Sequence, residues 1–326
     1  MSDVDVLVVS IEGTIGWQQS NDWLTSSLAR AGAQVERVSA GPLPSVRTFA
    51  LTDFVQARAA RAAARRGIEA TNPKAIVYCS ITASLLWPRP GVIWLDSLAA
   101  ENRLGRHGLW QRPVERRRLA RAPLVLAMSE RSLDPLPGRR PDTILVPSPV
   151  EPPPAGADGN RDLAAVTYMG NPDKKRLGFV LDAWSSARRE GETMVVAGLG
   201  QGPHAPGVEF AGRLPPSDYR ALLRRARVFI AAPKREDYGI APLEALADGC
   251  VLVTTPAPGP YPARDIARSL DPRLVADSLT HAIRTALDDP RPGYPERAAE
   301  LLAPFMRPAV DRTIAERVLP RLLERR

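Results

Sequence analysis

The chain is poor in lysine, histidine and cysteine. Of 326 residues, four are lysine (Lys74, Lys174, Lys175 and Lys234), three are histidine and two are cysteine. Cys79 and Cys250 stand far apart, with no CxxC spacing and no histidine nearby, which excludes a zinc-ligand pattern and a disulfide framework. Two unpaired thiols suit a reducing compartment. No run of 18 apolar residues occurs, so no membrane-spanning helix is expected. The N-terminus reads Met-Ser-Asp-Val-Asp before a short apolar strand, without the basic start and long apolar stretch of a secretory signal, and the expected location is the cytoplasm. Heptads, short fixed repeats and the signatures of nucleic-acid-binding modules are also missing, so nucleic acid is not an expected partner.

What the chain has instead is arginine. Of 44 basic residues, 44 − 4 = 40 are arginine, against 36 acidic residues, for a net charge of +8. A bias of that size belongs to the whole composition, so a single arginine carries little information and a lysine carries more. The apolar content of 44% and charged content of 25% are those of a globular protein. At about 150 residues per domain the length corresponds to two domains.

Short β-branched runs alternate with longer stretches of helical period. Strands are expected at 4–11, 75–79, 92–95 and 124–128, and again at 165–169, 194–197, 228–231 and 251–254. Strands apolar on both faces and separated by helices predict parallel sheets covered on both sides. Between the halves, the run 147–162 (PSPVEPPPAGADGNRD) holds five prolines within 147–154 and reads as a semi-rigid linker. The expected architecture is α/β, with two Rossmann-like domains (1–150 and 151–300) facing across a cleft, and ligands at the carboxyl ends of the strands. The tail, 301–326, is expected to form a helix that packs back on the N-terminal domain. Val310, Ile314, Val318 and Leu322 would form its apolar stripe.

The most informative stretch is 228–255, VFIAAPKREDYGIAPLEALADGCVLVTT. A strand ends near Ala232, a polar loop runs to Gly239, and a helix is expected to start near Pro242 and stop at Asp248-Gly249. The free N–H groups and positive dipole end of that helix form an anion site. Glu236 in the loop and Glu244 in the first helical turn can both face a ligand held there, and carboxylates accept hydrogen bonds from neighbouring sugar hydroxyls. By spacing alone, Glu244 complementing the helix dipole and Glu236 as a solvated loop charge is an equal reading.

Residues 236–249, EDYGIAPLEALADG, resemble the hallmark E-x-[FY]-G-[IL]-x-x-x-E-A-x-A-x-G of the group 1 (family 4) retaining nucleotide-sugar glycosyltransferases. YMGNPDKKRLGFVLDAW (168–184), VVAGLGQGP (195–203) and VEFAGRLPPSDYRALLRRARVFIAAP (208–233) follow in the usual order. The resemblance covers 165–255 densely and the N-terminal half weakly. It implies a GT-B fold, with the donor nucleotide on the C-terminal domain and the acceptor on the N-terminal one. It further implies that Glu244 binds the ribose hydroxyls, that Glu236 touches the transferred sugar, and that the backbone around Tyr238, Gly239, Ile240 and Ala241 holds sugar and phosphate. No divalent metal and no cofactor beyond the nucleotide-sugar co-substrate are implied, and the donor expected is a UDP- or GDP-sugar.

Without a metal, cationic side chains must stabilise the departing diphosphate. Lys175 is placed for this by the family spacing, with Lys174 beside it; a solvated run Lys174-Lys175-Arg176 is the competing reading. Where the family has an arginine after the glycine at 170, this chain has Asn171. In the N-terminal half, Glu12-Gly13-Thr14-Ile15-Gly16 stands where the family carries a Gly-Gly pair near the donor phosphates, with Gly16 at the second glycine. The family histidine near the reaction centre is absent. Asp96, at the end of the strand 92–95, is the candidate to take its place, or else a loop cap. Trp17 is a candidate to face a sugar or an aromatic acceptor.

The segment 103–121, RLGRHGLWQRPVERRRLAR, holds seven arginines interleaved with Leu104, Leu109 and Trp110. Two readings are open for it, a solvated face or a peripheral contact with anionic membrane. The acceptor expected is a small molecule, a glycan or a lipid-linked group. The expected function is retaining, metal-independent transfer of a sugar to an acceptor hydroxyl; the alternative is a catalytically impaired relative that binds nucleotide-sugar as a partner subunit. A dinucleotide oxidoreductase is disfavoured, since Gly198-Leu199-Gly200 lacks the third glycine at Pro203.

Overall fold

The computed structural model describes all residues except 1–3, 14, 43–45, 47, 137, 139, 155–159 and 325–326. Thr14 of the glycine segment and part of the linker therefore lie outside the described residues, as do the side chains of Glu12 and Ile15. The chain divides into two compact units, Met1–Pro149 with Pro308–Arg326, and Val150–Arg307. The return into the first unit falls at Pro308 rather than 301.

The first unit is built on six strands: β1 (Val6–Glu12), β2 (Val35–Pro42), β3 (Ala75–Tyr78), β4 (Val92–Leu95), β5 (Val125–Ala127) and β6 (Thr143–Leu145). They form one sheet in the order β2-β1-β3-β4-β5-β6, with every pair parallel. β4 is buried along its whole length, as expected for a central strand with helices on both faces. Leu7, Val9, Tyr78, Ile93, Leu95 and Trp87 form the centre of its core. The helix Phe49–Thr71 starts where the Thr48 hydroxyl accepts the Leu51 N–H at 3.3 Å, satisfying one otherwise orphaned donor.

The second unit carries β7 (Leu163–Tyr168), β8 (Met194–Ala197), β9 (Val208–Gly212), β10 (Ala226–Ala231) and β11 (Val251–Thr254). Their order is β11-β10-β7-β8-β9, again all parallel. In the helix Leu177–Ala187 the residues Val180, Leu181, Trp184 and Ala187 are buried. Their three- and four-residue spacing puts them on one face.

Strands β2, β6 and β9 fall outside the eight runs that the apolar pattern marks. All three are sheet edges. β2 carries exposed Glu36 and Arg37, and β9 alternates between partly buried and exposed residues. An edge strand needs only one apolar face, and charge on it blocks pairing with other chains.

The tail stripe is buried: Val310, Ile314, Val318 and Leu322 are all in the core. The tail is one helical run from Arg307 to Leu323 with a π-turn at Ile314–Val318, preceded by a separate helix Tyr294–Leu302. Asp311 ties it down. Its carboxylate accepts the Trp23 indole N–H at 3.0 Å and the Ser27 hydroxyl at 2.7 Å, and pairs with Arg30 at 2.9 Å. Replacing Asp311 with alanine leaves a half-buried indole N–H and a hydroxyl without acceptors. The expected cost is about 1–3 kcal/mol, read as a lower urea midpoint with an unchanged m-value; an unchanged midpoint would show that the tail is held by its apolar stripe alone.

Candidate functional site

The helix Ile240–Ala247 begins two residues before the position expected from Pro242. The reason is Gly239. Its backbone is left-handed, φ 83° and ψ 63°, a conformation open to glycine at little cost, and it turns the chain straight into the helix. A side chain could not be added there, because a Cβ would sit 2.9 Å from the Tyr261 ring and 3.1 Å from Glu236 Cγ. No side chain caps the helix start, so its first N–H groups, which have no intrahelical acceptors, are available to an anion. The helix stops at Asp248, followed by Gly249 at φ +79°.

Glu236 lies in the loop between β10 and this helix and is buried. Its carboxylate pairs with the Lys175 ammonium, which is itself mostly buried. Lys175 comes from the turn after β7, where its N–H donates to Asn171 O at 2.9 Å. Asn171 also caps this turn through its side chain, accepting the Lys174 N–H at 3.0 Å. The residue standing in place of the family arginine thus shapes the backbone that carries both lysines. Arg176 closes the turn in a left-handed conformation, φ 58°, with its guanidinium 3.9 Å from the Phe179 ring centroid. The turn and the Glu236 loop are laced together, since the Lys234 N–H donates to Lys174 O at 2.9 Å and the Lys234 ammonium pairs with Asp173 at 2.6 Å.

Glu244 is partly buried one turn into the helix. Burial pushes its carboxyl up to about 7, with Arg220 acting the other way and Asp248 and Glu151 adding repulsion. Arg220 is anchored below it by the fully buried Asp248 carboxylate, with Nη2 3.0 Å from Asp248 Oδ1 and also 3.0 Å from Glu151 O. Arg161 donates to Asp248 O at 2.7 Å. Two guanidinium groups thus sit at the helix's negative end, where cations are favoured. Neither Arg220 nor Arg161 stands out in a sequence with 40 arginines; the buried Asp248 they share is a tertiary feature.

Lys174, Lys175, Glu236, Tyr238, Gly239, Ile240, Ala241 and Glu244 are therefore gathered on the second unit, around the turn after β7 and the loop after β10. Asp96, Gly16 and Trp17 belong to the first unit. Asp96 Oδ1 accepts the Ser97 N–H at 2.7 Å, and Asn102 donates to the Ser97 hydroxyl at 2.9 Å. Behind this loop the buried Glu115 accepts the Ala99 N–H at 2.7 Å, and burial pushes its carboxyl up to about 7. Gly16 lies in the first turn of the helix Ile15–Arg30, its carbonyl accepting the Ser20 hydroxyl at 2.9 Å. Trp17 packs edge-on against Trp94, centroids 5.9 Å apart.

The basic segment holds a short turn, Gly105–Gly108, and a helix, Gln111–Leu119. Arg103 grips the buried Asp53 through Nε at 2.7 Å and Nη2 at 2.9 Å. The Trp110 indole donates to Ala50 O at 3.1 Å and meets the Phe54 ring edge-on at 5.9 Å. Leu104 and Leu109 stay 68% and 69% exposed, the highest values among the large apolar residues described. Leu51 and Phe54 on the neighbouring helix are also exposed. Among the described residues no helix is long and apolar enough to cross a membrane, and no three His, Cys, Asp or Glu side chains are grouped to hold a metal ion.

Two parallel-sheet α/β units of this kind have the GT-B fold, which the similar solved structures share. Residues 161–289 match the family of glycosyl transferases group 1, and on this chain they form most of the second unit. Over this segment the chain carries a glycosyl transferases group 1 domain. Similar solved structures include sucrose-phosphate synthase from Thermosynechococcus elongatus, with TM-score 0.72 and 17% identity, covering 96% of this chain and 98% of that one. WaaG, a glycosyltransferase involved in lipopolysaccharide biosynthesis, gives TM-score 0.68 and 14% identity, covering 96% and 99%. HepE from Anabaena, solved with UDP and glucose, gives 0.63 and 15%, also covering 96% and 99%. No curated protein sequence matches the chain.

The raised Glu244 carboxyl makes a stability prediction. An acid whose folded pKa is about 7 against 4.5 unfolded stays protonated in the folded chain while it ionises in the unfolded one. Stability is therefore lost as pH rises from 4.5 through 7. Glu244→Gln removes this loss. The variant is expected to be more stable than wild type by about 1–3 kcal/mol at pH 8 and nearly equal at pH 5. Urea denaturation at the two pH values checks this; an equal difference at both would show that the carboxyl ionises normally.

Proposed function

We propose that the protein is a retaining, metal-independent glycosyltransferase that moves a hexose from a UDP- or GDP-sugar to an acceptor hydroxyl. The observation that carries this reading is the buried Glu236–Lys175 pair beside the uncapped start of the helix that bears Glu244. Cleaving a sugar–phosphate bond leaves a nucleoside diphosphate with growing negative charge. A fixed ammonium and a helix N-terminus stabilise that charge without reorganising. Lys175 carries three donors, one of them taken by Glu236, and the others are free to reach phosphate oxygens. Glu236 accepts hydrogen bonds from the transferred sugar and holds its orientation. Glu244 accepts the ribose hydroxyls, and those donors favour its charged form. With retention, the incoming hydroxyl approaches on the face that the phosphate leaves, and the departing phosphate oxygen takes its proton. Asp96 is assigned to an acceptor or sugar hydroxyl, Gly16 to the close approach of the donor phosphates, and Lys174 to the diphosphate. The enzyme itself works in the cytoplasm.

Turnover separates this reading from a binding-only partner subunit. Thermal-shift screening against UDP, GDP, dTDP and ADP names the base, since a ligand of the folded state raises the melting temperature by mass action. Lys175→Ala is expected to lower kcat about a hundredfold or more, while keeping a cooperative melt and a nucleotide-induced rise in Tm. Unchanged kcat would remove Lys175 from the chemistry.

The acceptor side is proposed to work at an anionic membrane surface, so that the acceptor is lipid-linked. Exposed Leu104 and Leu109 are flanked by exposed Arg106, Arg116, Arg117 and Arg121, and the one acid between 103 and 121, Glu115, is buried. Exposed leucines among arginines suit the boundary between headgroups and acyl chains. Vesicles containing phosphatidylglycerol are expected to co-sediment the protein at low salt, and phosphatidylcholine alone much less. Leu104→Ser with Leu109→Ser should weaken that binding roughly tenfold or more. Co-sedimentation with neither vesicle type would assign the segment to a solvated face, and equal binding to both would remove the anionic headgroup from the recognition.

A further inference from the structure

Glu236 sits at the middle of a loop with no secondary structure of its own, so while Lys175 pairs with its carboxylate, something outside that loop must hold its backbone. The segment that does so follows β11: Thr255-Pro256-Ala257-Pro258-Gly259-Pro260-Tyr261. The Glu236 N–H donates to Pro258 O at 3.0 Å. Gly259, at φ +110°, lies so close that a Cβ there would collide with Glu236 O. The Tyr261 ring, fully buried and with its hydroxyl 3.1 Å from Thr254 Oγ1, lies under Gly239. This arch is the floor on which the Glu236 loop rests.

The arch cannot brace itself through its backbone in the usual way. Pro256, Pro258 and Pro260 alternate along it, with Pro262 at the start of the next helix, and none has an N–H to donate. The missing donors come from Arg264, on the helix Pro262–Leu270. Arg264 is buried, at 5% exposure. Its Nη1 donates to Ala257 O at 2.6 Å and to Gly259 O at 3.3 Å. Its Nε donates to Asp265 at 2.9 Å, and its Nη2 lies 2.8 Å from the same carboxylate oxygen. Of three consecutive carbonyls, Arg264 takes the first and third, and Glu236 takes the middle one. The planar fork suits that task. Nη1 serves both carbonyls while Nε and Nη2 face Asp265, a division of donors that a lysine ammonium, a single point on a flexible stem, lacks.

We propose that Arg264 is a positioning residue for the transfer reaction: by gripping the carbonyls of Ala257 and Gly259 it fixes Pro258 O, and through it the Glu236 backbone and the carboxylate that faces the donor sugar. The proposal rests on the assignment of Glu236 to the donor sugar. Arg264 itself makes no hydrogen bond to Glu244 or to the helix Ile240–Ala247, which meets the arch only through the Tyr261 ring under Gly239, so sugar orientation is expected to depend on Arg264 far more than nucleotide binding does.

The test uses the full chain with Arg264→Met, which keeps an apolar stem of similar length and removes the donors. Turnover, nucleoside diphosphate affinity and amide hydrogen exchange are measured together. Expected are a kcat lowered at least tenfold, a diphosphate Kd within threefold of wild type, and exchange at least tenfold faster in a peptide spanning 233–239, with 240–247 unchanged. Arg264→Ala should recover part of the lost kcat and of the lost protection when millimolar guanidinium is added. Gly259→Ala strikes the same contact from the other side with Arg264 intact, and should give the same pattern if Arg264→Met fails to fold. Unchanged exchange over 233–239 overturns the proposal. So does a Kd that rises in step with the fall in kcat, which would make Arg264 a support of the whole unit. If the wild type transfers no sugar from any donor while the exchange pattern holds, the enzymatic reading fails and the bracing of the Glu236 loop by Arg264 stands.

Discussion

A buried carboxylate facing a mostly buried ammonium is the constraint around which the second unit's loops are folded. Taking Glu236 and Lys175 out of water is costly, and replacing such a pair with apolar side chains is often neutral or stabilising. The surroundings show how much structure is devoted to keeping it. One turn brings Lys175 up from β7, held by the Asn171 side chain and backbone. A second loop brings Glu236 from β10, held by Pro258 O and by glycines at 239 and 259 that admit no side chain. Lys234 joins the two. An ion pair with no evident gain in stability, at the carboxyl ends of two parallel strands, is where α/β sheets place their chemistry.

The same logic covers Glu244. An acid pushed up to about 7 by burial weakens the folded state at neutral pH, and hydroxyl donors bound beside it would favour its charged form. Arg220 and Asp248, stacked beneath it, hold a second buried charge pair at the far end of the same short helix. The eight-residue helix Ile240–Ala247 thus has a ligand-ready positive end and a guanidinium-clamped negative end. Its orientation is fixed by groups at its base, which leaves its start unobstructed.

Legibility from sequence follows the type of signal each element needs. The eight central or well-covered strands announce themselves as apolar runs, because burial on both faces demands it. β2, β6 and β9 do not, because an edge strand satisfies one face only and may carry Glu36 and Arg37 on the other. The candidate site divides in the same way. Glu236, Glu244 and Lys175 come forward as candidates through the resemblance to the group 1 hallmark, since spacing alone leaves the solvated reading equal. Arg264, Arg220 and Asp248 act across tertiary contacts, and an arginine is nearly invisible among 40. The alternation of Pro256, Pro258, Pro260 and Pro262 was a readable sign, since a segment short of N–H donors must borrow them from a side chain. The helix start at Ile240 rather than Pro242 turns on the left-handed Gly239, a backbone choice that composition leaves open.

The near-absence of lysine has a practical side. Only Lys74 lies far along the chain from the turn after β7 and the loop after β10; Lys174 and Lys234 are exposed on either side of that linked turn and loop, and Lys175 lies between them. Amine-directed chemistry, whether a dye, a biotin ester or a sensor surface, would therefore fall largely on the turn and loop proposed to hold the donor. Immobilisation of this protein through its amines would conceal what it was meant to display, and attachment through an added tag is the geometry that leaves the pocket open.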